Sequence, residues 1–185
     1  GTRGMATFQP GQDCNLVGPL GVGFSLPKGA RNIVVLGRGV GLATMGPISQ
    51  MAADNGVGVT AILSARSPEL VMTDDLFGKA GEVVKVLDSD GSSAVENVRA
   101  ILEKLIAAKK ADTFYTCGSA RLLFLMKDLG KKYGIPGQVA MEQVMACGLG
   151  PCYVCVRTFE VNGHKELRRV CIEGPVFDLQ ECVGW

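Results

Sequence analysis

Four of the seven cysteines lie between positions 147 and 171. Their spacing is Cys147-x4-Cys152-x2-Cys155, followed by Cys171 after fifteen intervening residues. The first part is the plant-type pattern that binds a 2Fe-2S cluster. Two irons bridged by two sulfides need four thiolates from a backbone wrapped closely around them, and Gly148 and Gly150 give that loop its freedom. Small residues leave room for sulfide, and backbone N–H groups can hydrogen-bond the sulfurs, although Pro151 has none to give. Zinc is the alternative, since Cys152-x2-Cys155 alone is a common zinc half-site, but Cys147 is then oddly placed. Cys14, Cys117 and Cys182 stand apart, and isolated cysteines are commonly small buried hydrophobes. Cys14 and Cys182 are expected to be structural.

A second group of residues suits a nucleotide. Gly37-Arg38-Gly39-Val40-Gly41 follows an apolar strand and precedes a helix, where glycines let backbone approach a pyrophosphate and a helix N-terminus offers N–H donors. Leu42 stands in the last position of G-x-G-x-x-G, so the turn alone is equally readable as packing. Ser64-Ala65-Arg66-Ser67 follows the second strand, where an acid would hold an NAD ribose; Ser64 and Arg66 suit a 2′-phosphate instead, and the nucleotide is written NAD(P). Asp90, within Asp88-Ser89-Asp90-Gly91-Ser92, belongs to a plain turn with a serine helix cap when read by itself, and faces the nucleotide if the segment is taken by its resemblance to a reductase-family Asp-Gly-Ser. The single histidine, His164, sits beside Asn162-Gly163, a strong hairpin signal, so a serine-hydrolase site would have to be built on an exposed turn.

These groups need a scaffold. Between residues 31 and 141, short β-branched runs alternate with longer amphipathic ones, which predicts a parallel sheet with covering helices. The strands are expected at 33–36, 57–63, 83–87, 113–116 and 138–141. Val95, Val98, Ile101, Leu102, Leu105 and Ile106 recur at helical spacing, and residues 120–133 read as a helix ending at Gly134. A short strand is expected at 14–17, before Gly18-Pro19. The fold class is α/β: a Rossmann-like parallel sheet with covering helices, followed by a small C-terminal 2Fe-2S cluster domain.

Composition is that of an ordinary globular chain: 185 residues, 47% hydrophobic and 20% charged. Lysine plus arginine (19) nearly balances aspartate plus glutamate (18), so charge points to no nucleic acid. No apolar run approaches the roughly 20 residues that span a bilayer. A soluble, cytoplasmic protein in a reducing compartment is expected, because the cysteines do not form an evenly spaced disulfide framework. The opening residues resemble neither a signal peptide nor a natural start, which suggests a piece of a longer chain.

The stretch from Glu142 to Cys155, with Val170-Cys171-Ile172-Glu173-Gly174-Pro175-Val176-Phe177, resembles the electron-transfer subunit of dihydroorotate dehydrogenase B. Gly18-Pro19-Leu20-Gly21-Val22-Gly23-Phe24 resembles that family's glycine-rich turn, in the right order. The resemblance implies the ferredoxin-reductase architecture of flavin β-barrel, pyridine-nucleotide domain and cluster domain. Gly1 and Thr2 look like the end of the second FAD pyrophosphate motif, so residues 1–28 read as a remnant of the barrel, 29–141 as the nucleotide domain and 142–185 as the cluster domain. It implies hydride transfer from NAD(P)H to FAD, then single electrons through the cluster to an FMN-containing, dihydroorotate dehydrogenase-like catalytic partner in a hetero-oligomer. Apolar Leu149, Pro151 and Tyr153 either meet that partner or pack inward. Cys117-Gly118-Ser119 resembles the Cys-Gly-Pro of the superfamily, which gives Cys117 a place lining the hydride-transfer site, against a buried thiol.

Two departures matter. The family pattern reads three glycines, then Ile-Gly and Ala-Pro-Leu; here Arg38 and Thr44-Met45 differ, and Arg38 either binds phosphate, obstructs the nucleotide or is simply solvated. Related reductase subunits of hydrogenase or ferredoxin:NADP transhydrogenase type therefore stay open, as does a non-enzymatic zinc-containing module.

Overall fold

The structure, a computed structural model, describes residues 2–184; Gly1 and the side chain of Thr2, both expected at a flavin site, lie outside what is described. The chain runs α1 (Thr2–Met5), β1 (Asn32–Arg38), α2 (Gly41–Asp54), β2 (Gly58–Ala65), α3 (Asp74–Ala80), β3 (Glu82–Leu87), α4 (Val95–Ala107) and β4 (Thr113–Cys117). It continues through α5 (Ala120–Tyr133), β5 (Gly137–Ala140), β6 (Val156–Val161), β7 (His164–Arg169) and β8 (Val176–Asp178).

Six strands form one sheet in the order β3-β2-β1-β4-β5-β8; the first five are parallel and β8 is antiparallel to β5. The β1 sequence is apolar without alternation because both of its faces are covered. Val34 and Leu36 pack on the side of α4 and α5, whereas Ile33 and Val35 pack on the side of α2, with Leu42, Met45 and Ile48. In α5, Leu122, Leu123, Leu125, Met126 and Leu129 form the buried face, and Gly134 closes the helix in a left-handed conformation, φ 70° and ψ 28°. Strand order reverses between β1 and β4, which opens a crevice beyond their C-terminal ends.

The C-terminal region joins this core. Phe159, Val170, Cys171 and Phe177 belong to the same buried cluster as α5, and the Phe159 and Phe177 rings lie 4.2 Å apart. β6 and β7 form the expected hairpin; Asn162 (φ 52°) and Gly163 (φ 80°) both adopt positive φ, as a type I′ turn requires. No regular strand forms at 14–17, contrary to expectation. Leu16 and Val17 are 85% and 74% exposed, and no neighbouring strand offers the hydrogen bonds that would hold them extended. Cys14 is exposed as well, so the expected buried role fits only Cys182. Among the described residues, no helix is long and apolar enough to cross a membrane.

Candidate functional site

The cysteine loop leaves the sheet at the end of β5 and returns at β8. Gly148 (φ 67°), Gly150 (φ 95°) and Tyr153 (φ 57°) turn it sharply. The thiols come together as two pairs. Cys147 Sγ lies 3.1 Å from Cys152 Sγ, and the Leu149 N–H donates to Cys147 Sγ at 3.4 Å. The Cys171 N–H donates to Cys155 Sγ at 3.4 Å. The Cys152 thiol, helped by backbone N–H groups, brings Cys147 down to about 7. Burial opposes ionisation of Cys155, yet the N–H and thiol of Cys171 bring it down on balance; burial, then Cys155 and Cys147, push Cys171 up.

Each iron of a two-iron cluster takes two thiolates beside its two sulfides, and the contacts of Cys147 with Cys152 and of Cys155 with Cys171 fit such a division.

The glycine-rich segment far upstream is part of this site, which sequence reasoning did not anticipate. Val22 N–H donates to the Gly174 carbonyl at 2.6 Å, and Val176 N–H donates back to Val22 at 3.3 Å. Gly21 adopts φ 72°, and a Cβ there would lie 2.2 Å from Gly174 O and 3.0 Å from Cys171 O. Leu20 reaches over Gly148. Downstream, Phe24 meets Tyr115 edge-to-face at 5.6 Å, the Tyr115 hydroxyl donates to Ser25 O at 2.7 Å, and Ser25 and Gln138 exchange two hydrogen bonds. The segment thus straps the cysteine loop to the sheet.

Beside the strap lies an apolar cavity of about 660 Å³ at the strand-order reversal. Phe24, Thr44, Pro47, Cys117, Glu142 and Met145 are among its walls. Cys117 is buried, and burial pushes its thiol up, with the Thr44 hydroxyl pulling the other way. Gly118 and Gly41 let two turns touch here: a Cβ on Gly118 would meet Arg38 O at 2.2 Å, and one on Gly41 would meet Cys117 C and O at 2.7 Å. Gly39 instead has φ 56° with open space around it, and Gly37 packs on Leu42. The turn therefore serves both packing and access.

Arg38 does not wall this cavity. It points to the opposite end of the crevice, where its NH1 donates to Ser64 Oγ (2.9 Å) and Asp88 Oδ1 (3.1 Å) and its NH2 to Asp88 Oδ2 (2.5 Å). Asp88 Oδ1 also accepts from Arg121 at 3.2 Å and from the Ser93 hydroxyl. Hydrogen bonds from Arg38 and Ser93 hold the Asp88 carboxyl well below the usual carboxylate range. Of the expected nucleotide residues, Ser64 is buried beneath Arg38, Asp90 accepts two bonds from Ser92, and Arg66 is exposed after β2. His164 is exposed at the start of β7, away from these groups. Leu149, Pro151 and Tyr153 all face outward, Leu149 and Tyr153 at 56% and 62% exposure.

Residues 142–183 match the iron-sulfur cluster binding domain of dihydroorotate dehydrogenase B. The whole chain is similar to the electron transfer subunit of dihydroorotate dehydrogenase B (NAD(+)) from Desulforamulus reducens, 30% identical over 99% of this chain and 70% of that protein. The corresponding subunit from Fusobacterium nucleatum is 32% identical over 96% of this chain and 68% of that protein. Among solved structures, the chain resembles one from an NADH-dependent reduced ferredoxin-NADP oxidoreductase, with a TM-score of 0.75 and 27% identity over 97% of this chain and 64% of that one. A hydrogenase C-terminal domain from Pyrococcus furiosus shares the fold, with a TM-score of 0.53 and 18% identity over 66% of this chain and 98% of that domain.

Proposed function

This chain belongs to the family of dihydroorotate dehydrogenase B electron transfer subunits, and we propose that it carries a 2Fe-2S cluster, takes part in binding FAD and NAD(P), and delivers electrons to a catalytic oxidoreductase subunit. The chain spans about 70% of the length of its relative from Desulforamulus reducens. In this reading residues 1–28 are the remnant of a flavin barrel, 29–141 the nucleotide domain and 142–185 the cluster domain. The proposed partner carries FMN and acts on a pyrimidine-type substrate, as in dihydroorotate dehydrogenase, in the cytoplasm.

When bound, the nucleotide and flavin supply two-electron chemistry and the cluster supplies one-electron chemistry. The protein's share is positioning. Cys147, Cys152, Cys155 and Cys171 are the cluster ligands, and the N–H groups of Leu149 and Cys171 stabilise thiolate charge. Gly39 and Gly41 bring backbone close to a pyrophosphate, while Cys117 and Gly118 line the apolar cavity where the nicotinamide and flavin rings would meet. Met145, on the cavity wall, is two residues from Cys147, so the route out is short. Exposed Val144, Leu149, Tyr153 and Val154 form an apolar rim around the ligands, suited to a partner subunit.

The observation that carries this reading is the pairing of the four thiols within the loop between β5 and β8. Anaerobic reconstitution of the full chain with iron and sulfide tests it. Visible bands bleached by reductant, with two irons and two labile sulfides per chain, are expected, and Cys152→Ser should lose or alter them. A colourless protein that takes one zinc instead would refute it. The likeness to the NADH-dependent reduced ferredoxin-NADP oxidoreductase structure favours a second reading, in which the partner belongs to another reductase complex. Reconstitution with a dihydroorotate dehydrogenase catalytic subunit separates the two readings: a stable complex that couples dihydroorotate oxidation to this chain's cluster supports the first.

A further inference from the structure

From the hydrogen-bond inventory beyond the ends of β1, β2 and β3, we infer that the nucleotide taken here carries a phosphate on its adenosine ribose, so that the chain prefers NADP(H) to NAD(H). The inference rests on the proposed nucleotide site and names its substrate class.

An unphosphorylated ribose diol needs a free carboxylate near the end of β2. None follows that strand directly. Asp88, at the end of β3, has Oδ1 filled by Arg38, Arg121 and Ser93 and Oδ2 bonded by Arg38. Asp90 is turned to both donors of Ser92, and Glu69, on the exposed turn Pro68–Leu70, accepts from the Ser67 hydroxyl. The donors are in a different state. A guanidinium carries five N–H bonds. Arg38 spends three of them, leaving its Nε–H and one NH2 hydrogen, and Arg121 bonds only through NH2. Arg66 is exposed and makes no ion pair among the described residues.

The end of β1 and the start of α5 therefore present guanidinium edges oriented by Asp88, with Arg66 exposed just after β2, and the nearest acid is consumed in mounting the first two. Planar guanidinium forks match phosphate oxygens, whereas a hydroxyl pair gains little from them. Asp88 is thus a positioning residue: it fixes Arg38 and Arg121, while Arg66, exposed after the neighbouring strand, is free to add a third guanidinium. The relatives' names specify NAD(+), so on this point the chain departs from its family, through the arginine in its glycine turn.

The test is calorimetric titration of the full chain with NADP+, NAD+, 2′,5′-ADP and 3′,5′-ADP. NADP+ is expected to bind at least about tenfold more tightly than NAD+, and 2′,5′-ADP more tightly than its 3′ isomer. Arg66→Ala and Asp88→Asn should each weaken NADP+ by about tenfold while changing NAD+ less than about twofold. Lys131→Ala, in the last turn of α5, should change neither. Tighter binding of NAD+, an equal loss for both nucleotides, loss of NAD+ affinity in Glu69→Gln, or equal affinity for the two ADP isomers overturns the inference while leaving a nucleotide site in place. Failure of all four to bind overturns the nucleotide site itself.

Discussion

The strap over the cysteine loop makes a sharp prediction at Gly21. Substituting alanine there acts in two ways. Backbone at φ 72° disfavours any side chain, costing about 1–2 kcal/mol. The new Cβ would also sit 2.2 Å from Gly174 O and 3.0 Å from Cys171 O. Relieving that overlap means moving the cysteine loop within a packed region, for about 1–3 kcal/mol. Together the two effects amount to roughly 2–5 kcal/mol, which for a chain of this size lowers Tm by about 4–20 °C. Because the displaced carbonyls belong to the Cys171 turn, the reconstituted variant should also give up iron to a chelator faster. Gly18→Ala is the control, since its nearest atom would be 3.9 Å away and its φ is ordinary. Calorimetry and chelator-release kinetics read both effects. If Gly21→Ala matches Gly18→Ala in Tm and iron release, the strap does not brace the loop and the reasoning fails.

Three further outcomes follow from the geometry. Gly41→Ala drives a Cβ into the Cys117 and Gly118 backbone and should weaken nucleotide binding by about tenfold or prevent folding; circular dichroism separates the two, and an unchanged affinity would argue against close packing of the turns. The depressed Asp88 carboxyl contributes stability that is complete above the ordinary carboxylate value and declines as pH falls below about 4. The stability gap between the parent chain and Asp88→Asn, measured by urea titration, should therefore shrink on acidification, and a gap that widens is the contrary result. Burial pushes Cys182 up to about 12 and raises Cys117, whereas Cys14 is exposed. Iodoacetamide at neutral pH should label Cys14 first in the reconstituted protein and leave Cys117 and Cys182 untouched, as read by mass spectrometry.

The parts of this fold that were legible in the sequence rest on short-range pattern. The apolar run through Ile33–Leu36 marked a strand covered on both faces, the spacing from Val95 to Ile106 marked a helix, and Asn162-Gly163 marked a hairpin. α3 carried no such signal: its seven residues include Gly78 and bury only Phe77. A helix that short is held by tertiary packing, not by propensity. The strand expected at 14–17 failed for the complementary reason, since extended residues need a neighbour. At the site, four cysteines could be read from spacing, but their division into pairs is set by how the loop folds. Arg38 was visible as an oddity in a glycine turn; its partner Asp88 lies fifty positions away and is joined to it by the parallel register of β1, β2 and β3. Gly21 and Gly174 are farther apart still, and no local rule links them.

That long-range link explains how one chain places two kinds of chemistry side by side. Ala140 of β5 pairs with Val176 of β8, so everything between them, including all four proposed ligand cysteines, is an excursion closed at its base by one pair of strands. The base lies on the cavity wall, since Ala140, Met141, Pro175 and Val176 all line it. The strap then adds Val22 as a third member beside Gly174 and Val176. An excursion fastened only at its two ends could swing; one fastened at its base and across its flank is held against the cavity. An electron carrier needs a fixed short distance between its centres more than it needs an acid or a base, and under the proposed function the antiparallel β8 on an otherwise parallel sheet serves that need. The edge strand is three residues long, too short to contribute much to the core, and its value lies in where it makes the chain return.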